Sequence, residues 1–255
     1  SGFRTNHSCE TALTAMVDDW TKAINNHEYS GTILLDLSKA FDLVNHQILL
    51  EKLKTYQFHA DAILWFSSYL NDRTQKVKIG NSFSEGKYVD CGVPQGSVLG
   101  PLLFIIFIND MPLSTNKSLT NMFADDSSLT YSSLSITEVV NTLNEDLQCI
   151  DSWCKTIAMK LNTAKTKAII MTTQNKQSLL QSLQVKFYLS NETIKISKQE
   201  KLLGVQIINT ILWTVQVENI LKKCNSLLNS AWKDKILPFN TYEKIILRFL
   251  HTSPF

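Results

Sequence analysis

Met122-Phe123-Ala124-Asp125-Asp126 runs apolar residues straight into two adjacent carboxylates, and Ser127-Ser128-Leu129-Thr130-Tyr131 carries the chain away again as a second short run. The pattern predicts a β-hairpin with paired acids at its tip. Acids side by side in a tight turn repel each other, so the arrangement is costly unless solvent, a helix end or a cation offsets the charge. These residues alone allow an exposed polar turn, which Asp suits for backbone reasons, or a site for a divalent metal. Which one holds depends on the rest of the chain.

Upstream, Gly31 opens a short apolar strand, Thr32 to Leu35, that ends on Asp36 and continues as Leu37-Ser38-Lys39-Ala40-Phe41-Asp42. A carboxylate at the end of a buried strand is held on a rigid element, where catalytic groups are placed; the same residue can also cap the turn or helix that follows. Between the acids lies Cys91-Gly92-Val93-Pro94-Gln95-Gly96-Ser97-Val98-Leu99-Gly100-Pro101, the densest Gly/Pro segment of a chain with only eight Gly and five Pro. Its glycines let backbone approach a ligand closely, and Gln95 offers both a donor and an acceptor. It lacks the Gly-Lys-Ser/Thr ending of a P-loop and the GxGxxG spacing of a dinucleotide turn, which disfavours either kind of mononucleotide cradle.

The remaining pattern is mixed. Leu13, Met16, Val17, Trp20 and Ile24 recur on one face of a first helix with Ser8 as its N-cap. Ile48 to Tyr56 and Ala62 to Leu70 are helical, the second with Trp65, Phe66 and Tyr69 assigned to core packing. From Arg73 to Val89 apolar and basic residues alternate around Gly80-Asn81 and Glu85-Gly86; such a hairpin can follow a phosphate backbone or be an edge strand guarded by lysines. Leu102 to Ile108 predicts a buried helix. Ile136 to Trp153 is the strongest helix, with Ser135 and Glu138 as a capping box. Asn162 to Thr172 is a turn into a strand bearing Lys165 and Lys167. Gln174 to Ser182 has the composition of a linker or variable loop. A hairpin over 185–196, a short strand at Leu202-Leu203-Gly204-Val205, and a basic helical tail with Lys222 and Lys223 complete the chain, with Asn240 and Glu243 placed to cap a last helix.

At 255 residues, 44% apolar and 19% charged, the composition is that of an ordinary globular domain. The longest apolar run is too short for a bilayer span, and no signal-peptide pattern opens the sequence, so no membrane partner is expected. Five scattered cysteines without CxxC spacing support neither a disulfide framework nor a zinc site, and point to a reducing, intracellular compartment, nucleus or cytoplasm. The net charge of +2 hides an asymmetry: residues 1–151 hold 10 Lys+Arg against 18 Asp+Glu, a net −8, and residues 152–255 hold 15 against 5, a net +10. An acidic part that could hold cations followed by a basic part that could hold a polyanion suggests a nucleic-acid partner, though both could be solvated faces. Three carboxylates on two adjacent strands suffice for two Mg²⁺ ions ~3.5–4 Å apart, the arrangement that serves in-line nucleotidyl transfer.

In order and spacing, LDLSKAFD at 35–42, GVPQGSVLGP at 92–101, FADD at 123–126, LNTAKTK at 161–167 and LLGV at 202–205 resemble motifs A to E of reverse transcriptases, most closely those of non-LTR, LINE-like retrotransposons. SGFR at 1–4 and the following helix resemble the segment that precedes motif A there. The resemblance implies an α+β right-hand polymerase: residues 1–30 a partial fingers segment, 31–205 a palm with antiparallel sheet and a fingers insertion, and 206–255 a partial thumb. It implies that Asp36, Asp125 and Asp126 bind the catalytic Mg²⁺, or Mn²⁺, and that Phe41 falls where an aromatic gate excludes a ribose 2′-OH, a position core packing would equally explain. By the same resemblance Gln95 and Gly96 lie against nucleotide and template, and Lys165 looks like a lysine proposed to protonate pyrophosphate, where a surface lysine would also serve. Leu203 and Gly204 would approach the primer, and Arg4, Arg73, Lys222 and Lys223 would contact nucleic acid.

The partners so implied are an RNA template, a DNA primer, a dNTP and the remainder of the element's own polyprotein. Thr5-Asn6-His7 departs from the Pro-Gly-Arg that usually follows SGFR, removing a rigid turn and a basic group. The earlier fingers motifs and a preceding endonuclease are not found, and the thumb is short, so truncation at both ends is the expectation. The rival reading is an inactive remnant that only binds nucleic acid.

Overall fold

Ser8 accepts a hydrogen bond from Thr11 N, and Thr11 Oγ1 accepts one from Ser8 N, so a reciprocal cap starts the first helix. The computed structural model describes residues 8–211 and 214–233. In chain order the elements are α1 (Cys9–Asn25), β1 (Tyr29–Leu35), α2 (His46–Thr55), α3 (Ala60–Leu70), four two-residue strands β2 (Thr74–Gln75), β3 (Lys78–Ile79), β4 (Ser82–Phe83) and β5 (Lys87–Tyr88), α4 (Leu99–Ile108), a 3-10 turn (Met111–Ser114), β6 (Leu119–Phe123), β7 (Asp126–Ser133), α5 (Ile136–Thr156), β8 (Lys167–Met171), α6 (Gln174–Ser182), β9 (Phe187–Leu189), β10 (Glu192–Ile196), β11 (Gln199–Leu202), β12 (Val205–Ile208) and α7 (Thr214–Lys233).

Six strands form one sheet in the order β6-β7-β1-β8-β10-β9, antiparallel except where β10 runs parallel to β8. Strand β1 lies centrally and is buried along nearly all its length, which is why its sequence shows a run of Ile and Leu rather than polar alternation. Period two still sorts its side chains. Ile33 and Leu35 join Leu103, Phe104, Leu143 and Leu147 of α4 and α5 in the larger core. Leu34 faces the other way, toward the smaller core that α1 builds with Leu13, Met16, Trp20, Ile169 and Met171. Trp20 Nε1 donates to Thr32 Oγ1 at 2.9 Å, and that hydroxyl meets Thr130 Oγ1 at 3.1 Å, so the polar atoms on this face are paired. Gly31 is where α5 crosses β1: a Cβ there would sit 2.6 Å from Leu143 Cδ1 and 2.7 Å from Val139 Cγ1. Each fully buried Leu or Phe contributes on the order of 1.5–3 kcal/mol.

Several expectations change. Gln174–Ser182 is a helix rather than a linker, tied down where Gln177 Nε2 donates to Asn209 O at 3.1 Å and Lys176 sits over the Tyr29 ring. The Leu202–Val205 strand is instead the tip of the β11–β12 hairpin, with Leu203 and Gly204 both at positive φ, as a type I′ turn requires. Only the N-cap half of the α5 capping box forms. Ser135 Oγ accepts from Glu138 N, while the Glu138 carboxylate accepts from Tyr131 Oη and Ser133 Oγ. Trp65 is not core: it is 55% exposed and stacks on Tyr69. The Arg73–Val89 hairpin stands outside the main sheet, exposed on both faces, so it is not an edge strand of that sheet. The expected helix after Asn240 lies outside the described residues. Among the described residues no helix is long and apolar enough to cross a membrane.

Candidate active site

The acids first quoted sit on the β6–β7 hairpin. Phe123 pairs with Asp126, leaving Ala124 and Asp125 as a two-residue loop. Ala124 takes φ 55°, the left-handed value that glycine normally supplies at the first position of a II′ turn. A non-glycine residue there stores on the order of 1–3 kcal/mol. Strand β7 pairs with β1 up to Leu35↔Ser127, so the next residue of each strand, Asp36 and Asp126, continues the same register. Asp36 is held from its other side too: its carbonyl accepts from Asn162 N at 2.8 Å, and its amide donates to Thr166 Oγ1 at 3.4 Å.

Asp126 opens to solvent, yet the protein packed around its carboxyl pushes its pKa above the ordinary carboxylate value, and the charges of Asp125 and then Asp36 push it further. Among the described residues no Lys or Arg forms an ion pair with any of the three. Among the described residues the site concentrates negative charge with no cationic side chain in ion-pair contact.

The glycine loop is stitched to the segment after Asp36. Val93 N donates to Phe41 O at 2.9 Å, Gly92 N to Val44 O at 2.8 Å, and His46 Nε2 meets Gly92 O at 2.7 Å. A carbonyl only accepts, so Nε2 carries the His46 proton. Gly92, at φ 90°, allows this approach: a Cβ there would lie 2.8 Å from Asp42 O. Phe41 is half-buried and stacks on Phe104 with centroids 4.4 Å apart, so the expected gate position also packs against the core. Gln95 and Gly96 are exposed, and Gln95 Nε2 donates to Asp42 Oδ1 at 2.8 Å. Asp42 has no role predicted from sequence; its signal there is a second acid closing the same motif as Asp36.

Lys165 is exposed on the turn that Asn162 ties to Asp36. Leu203 lines a cleft of about 560 Å³ together with Asp126, Phe123, Met122 and Met16, so the tip of the β11–β12 hairpin and the acidic hairpin share one depression. Gly204 is exposed at that tip. Arg73 is exposed with its guanidinium over the Tyr69 ring, and Lys222 and Lys223 are exposed on α7. Arg4 lies outside the described residues. Asp36, Asp125 and Asp126 are thus brought together beside the Lys165 turn; Lys222 and Lys223 are on a separate element. Among the described residues no three His, Cys, Asp or Glu side chains converge closely enough to hold a metal ion as they stand. Mg²⁺ normally takes one or two carboxylates and completes its shell with water and phosphate, so the fit rests on these carboxylates in pairs and on their uncompensated charge.

The fold is shared with solved telomerase structures. Apo telomerase from Candida tropicalis, truncated from its C-terminal domain, superposes with TM-score 0.52 at 17% identity over 82% of this chain and 39% of that one. Telomerase from Candida albicans in complex with a fragment of telomeric RNA gives 0.51 at 13%, over 81% of this chain and 34% of that one. The family model described as reverse transcriptase (RNA-dependent DNA polymerase) matches residues 1–207, and the chain belongs to that family. Its relatives include the probable RNA-directed DNA polymerase from transposon BS of Drosophila melanogaster, 37% identical over 65% of this chain and 19% of that protein. The RNA-directed DNA polymerase from mobile element jockey of the same species is 30% identical over 86% of this chain and 24% of that protein. The chain thus spans about a fifth to a quarter of the length of these relatives.

Proposed function

We propose that this chain performs RNA-directed DNA synthesis as the polymerase core of a non-LTR retrotransposon, joining a dNTP to a primer 3′-OH on an RNA template. The observation that carries the reading is the strand register that sets Asp36 beside Asp126, next to Asp125, with no cationic side chain in ion-pair contact among the described residues. Asp36, Asp125 and Asp126 would hold Mg²⁺ or Mn²⁺. When bound, such ions neutralise phosphate charge and activate the attacking hydroxyl.

The protein's own groups supply the rest. Phe41, backed by Phe104, presents a wall that a ribose 2′-OH would strike. Gln95 and Gly96 lie along the nucleotide and the template base it pairs with. Lys165, on the turn anchored to Asp36, gives a proton to pyrophosphate in this reading. Leu203 and Gly204 face the primer, while Arg73, Lys222 and Lys223 offset backbone phosphates. In this reading residues 31–205 form the palm with a fingers insertion, 1–30 a fingers segment and 206–255 the start of a thumb. The chain works in nucleus or cytoplasm beside the rest of its polyprotein. Primer extension on an RNA template with Mg²⁺ or Mn²⁺ tests it: product above an Asp125→Asn control is expected, and none above that control would reduce the chain to a nucleic-acid-binding remnant.

A further inference from the structure

We propose that Asp42 is a positioning residue that fixes the side-chain amide of Gln95 in one orientation for the incoming nucleotide. The inference rests on the placement of Gln95 against that nucleotide. A glutamine amide has two chemically different ends, and nothing in the residue itself decides which faces a ligand. Asp42 decides it here. A carboxylate only accepts, so the partner 2.8 Å from Asp42 Oδ1 is the Gln95 NH₂ group, and the Gln95 carbonyl oxygen is left as the end that can accept from a bound molecule.

The two residues are 53 apart in sequence, and backbone contacts keep them in register. Val93 N to Phe41 O, Gly92 N to Val44 O and the bridge between Asn45 and Cys91 join the segments on either side of Asp42 to the glycine loop. The buried His46 imidazole adds its bond to Gly92 O, and the absence of a Cβ at Gly92 lets the loop lie against the Asp42 backbone. Asp42 N in turn donates to Lys39 O at 2.9 Å, closing the turn that carries the carboxylate. Asp42 and the gate residue Phe41 are adjacent on one turn, and these bonds tie the glycine loop to it.

Both Asp42 and Gln95 are solvent-exposed, so water competes for the bond in the free protein. A nucleotide and template lying over the loop would exclude that water and strengthen the charge-assisted bond. The effect therefore belongs to nucleotide binding more than to the fold.

The test is a double-mutant cycle on single-nucleotide incorporation, with Asp42→Asn as the conservative variant, since its side-chain carbonyl can still accept from Gln95. Asp42→Ala and Gln95→Ala are each expected to raise KM for dNTP by about three- to tenfold, with kcat within about twofold. The double variant should be no worse than Gln95→Ala alone, and Asp42→Asn should stay close to the parent. Multiplying effects in the double variant, or an unchanged KM in Asp42→Ala where Gln95→Ala raises it, would overturn the proposal. So would a Gln95→Ala variant that itself extends normally. Amide NMR of the free protein separates this from the polymerase reading. The Gln95 side-chain signal, assigned by its loss in Gln95→Ala, should move in Asp42→Ala and hold in Asp42→Asn. An unmoved signal overturns the positioning role whether or not the chain extends a primer.

Discussion

Asp126 is in conflict with its surroundings. Folding brings it into partly dry protein beside Asp125 and Asp36, and its raised pKa means that the folded state favours the protonated carboxyl. The stability this group contributes is therefore present below its unfolded value of ~3.9 and is lost as pH rises through the higher folded value. At neutral pH in chelator, Asp126→Asn should raise Tm by on the order of 2–4 °C, measured by calorimetry, while primer extension falls. A lower Tm would mean that the carboxylate is satisfied as it stands. Ala124 belongs at this scale too: its positive φ suits glycine, so Ala124→Gly should raise Tm by a few degrees through relief of strain. Phe41→Ala should increase ribonucleotide incorporation by about tenfold or more in a dNTP/rNTP competition assay; unchanged sugar selectivity would leave Phe41 only its packing on Phe104.

The hairpin that carries these acids is an element held from outside itself. Asp146 of α5, 1% exposed, accepts from the backbone amides of Asn116, Lys117 and Ser118 just before β6. Burial works to raise its pKa, but the Ser118 side chain and these amides overcome that and hold it below the ordinary value. The stability it contributes is present above the unfolded value and is lost as pH falls through the lowered folded one, below about pH 4. Asp146→Ala leaves backbone donors unpaired and should cost about 2–4 kcal/mol by urea unfolding at pH 7, with the difference from the parent shrinking in acid. The sequence made the hairpin and the strand ending on Asp36 legible because period two and turn chemistry are local signals. It could not show Asp146, whose partners lie about thirty residues away in sequence. Likewise α6 was hidden because its polar run has little helical stripe of its own; Gln177 and Lys176 hold it through tertiary contacts. Leu203-Gly204 resembled a strand because Leu202 and Val205 are apolar, and the turn became visible only with the pairing of β11 and β12.

Across the whole molecule, the three carboxylates lie within the acidic residues 1–151, and the basic excess lies in residues 152–255. Lys222 and Lys223, exposed on α7, are two of those cations. If they contact phosphates, changing both to Gln should lower the slope of log affinity against log salt for single-stranded RNA by about 1.4, measured by fluorescence anisotropy. An unchanged slope would return them to a solvated face. Asp36 and Asp125, 89 residues apart in sequence, act at one site because β1 pairs with β7, the strand that follows Asp125. Single-nucleotide incorporation on an RNA template with Mg²⁺, run on the parent, Asp36→Asn and Asp125→Asn, tests it most directly. Each substitution should reduce the rate on the order of 10²–10³-fold while RNA binding persists. Incorporation by Asp36→Asn at the parent rate would contradict it.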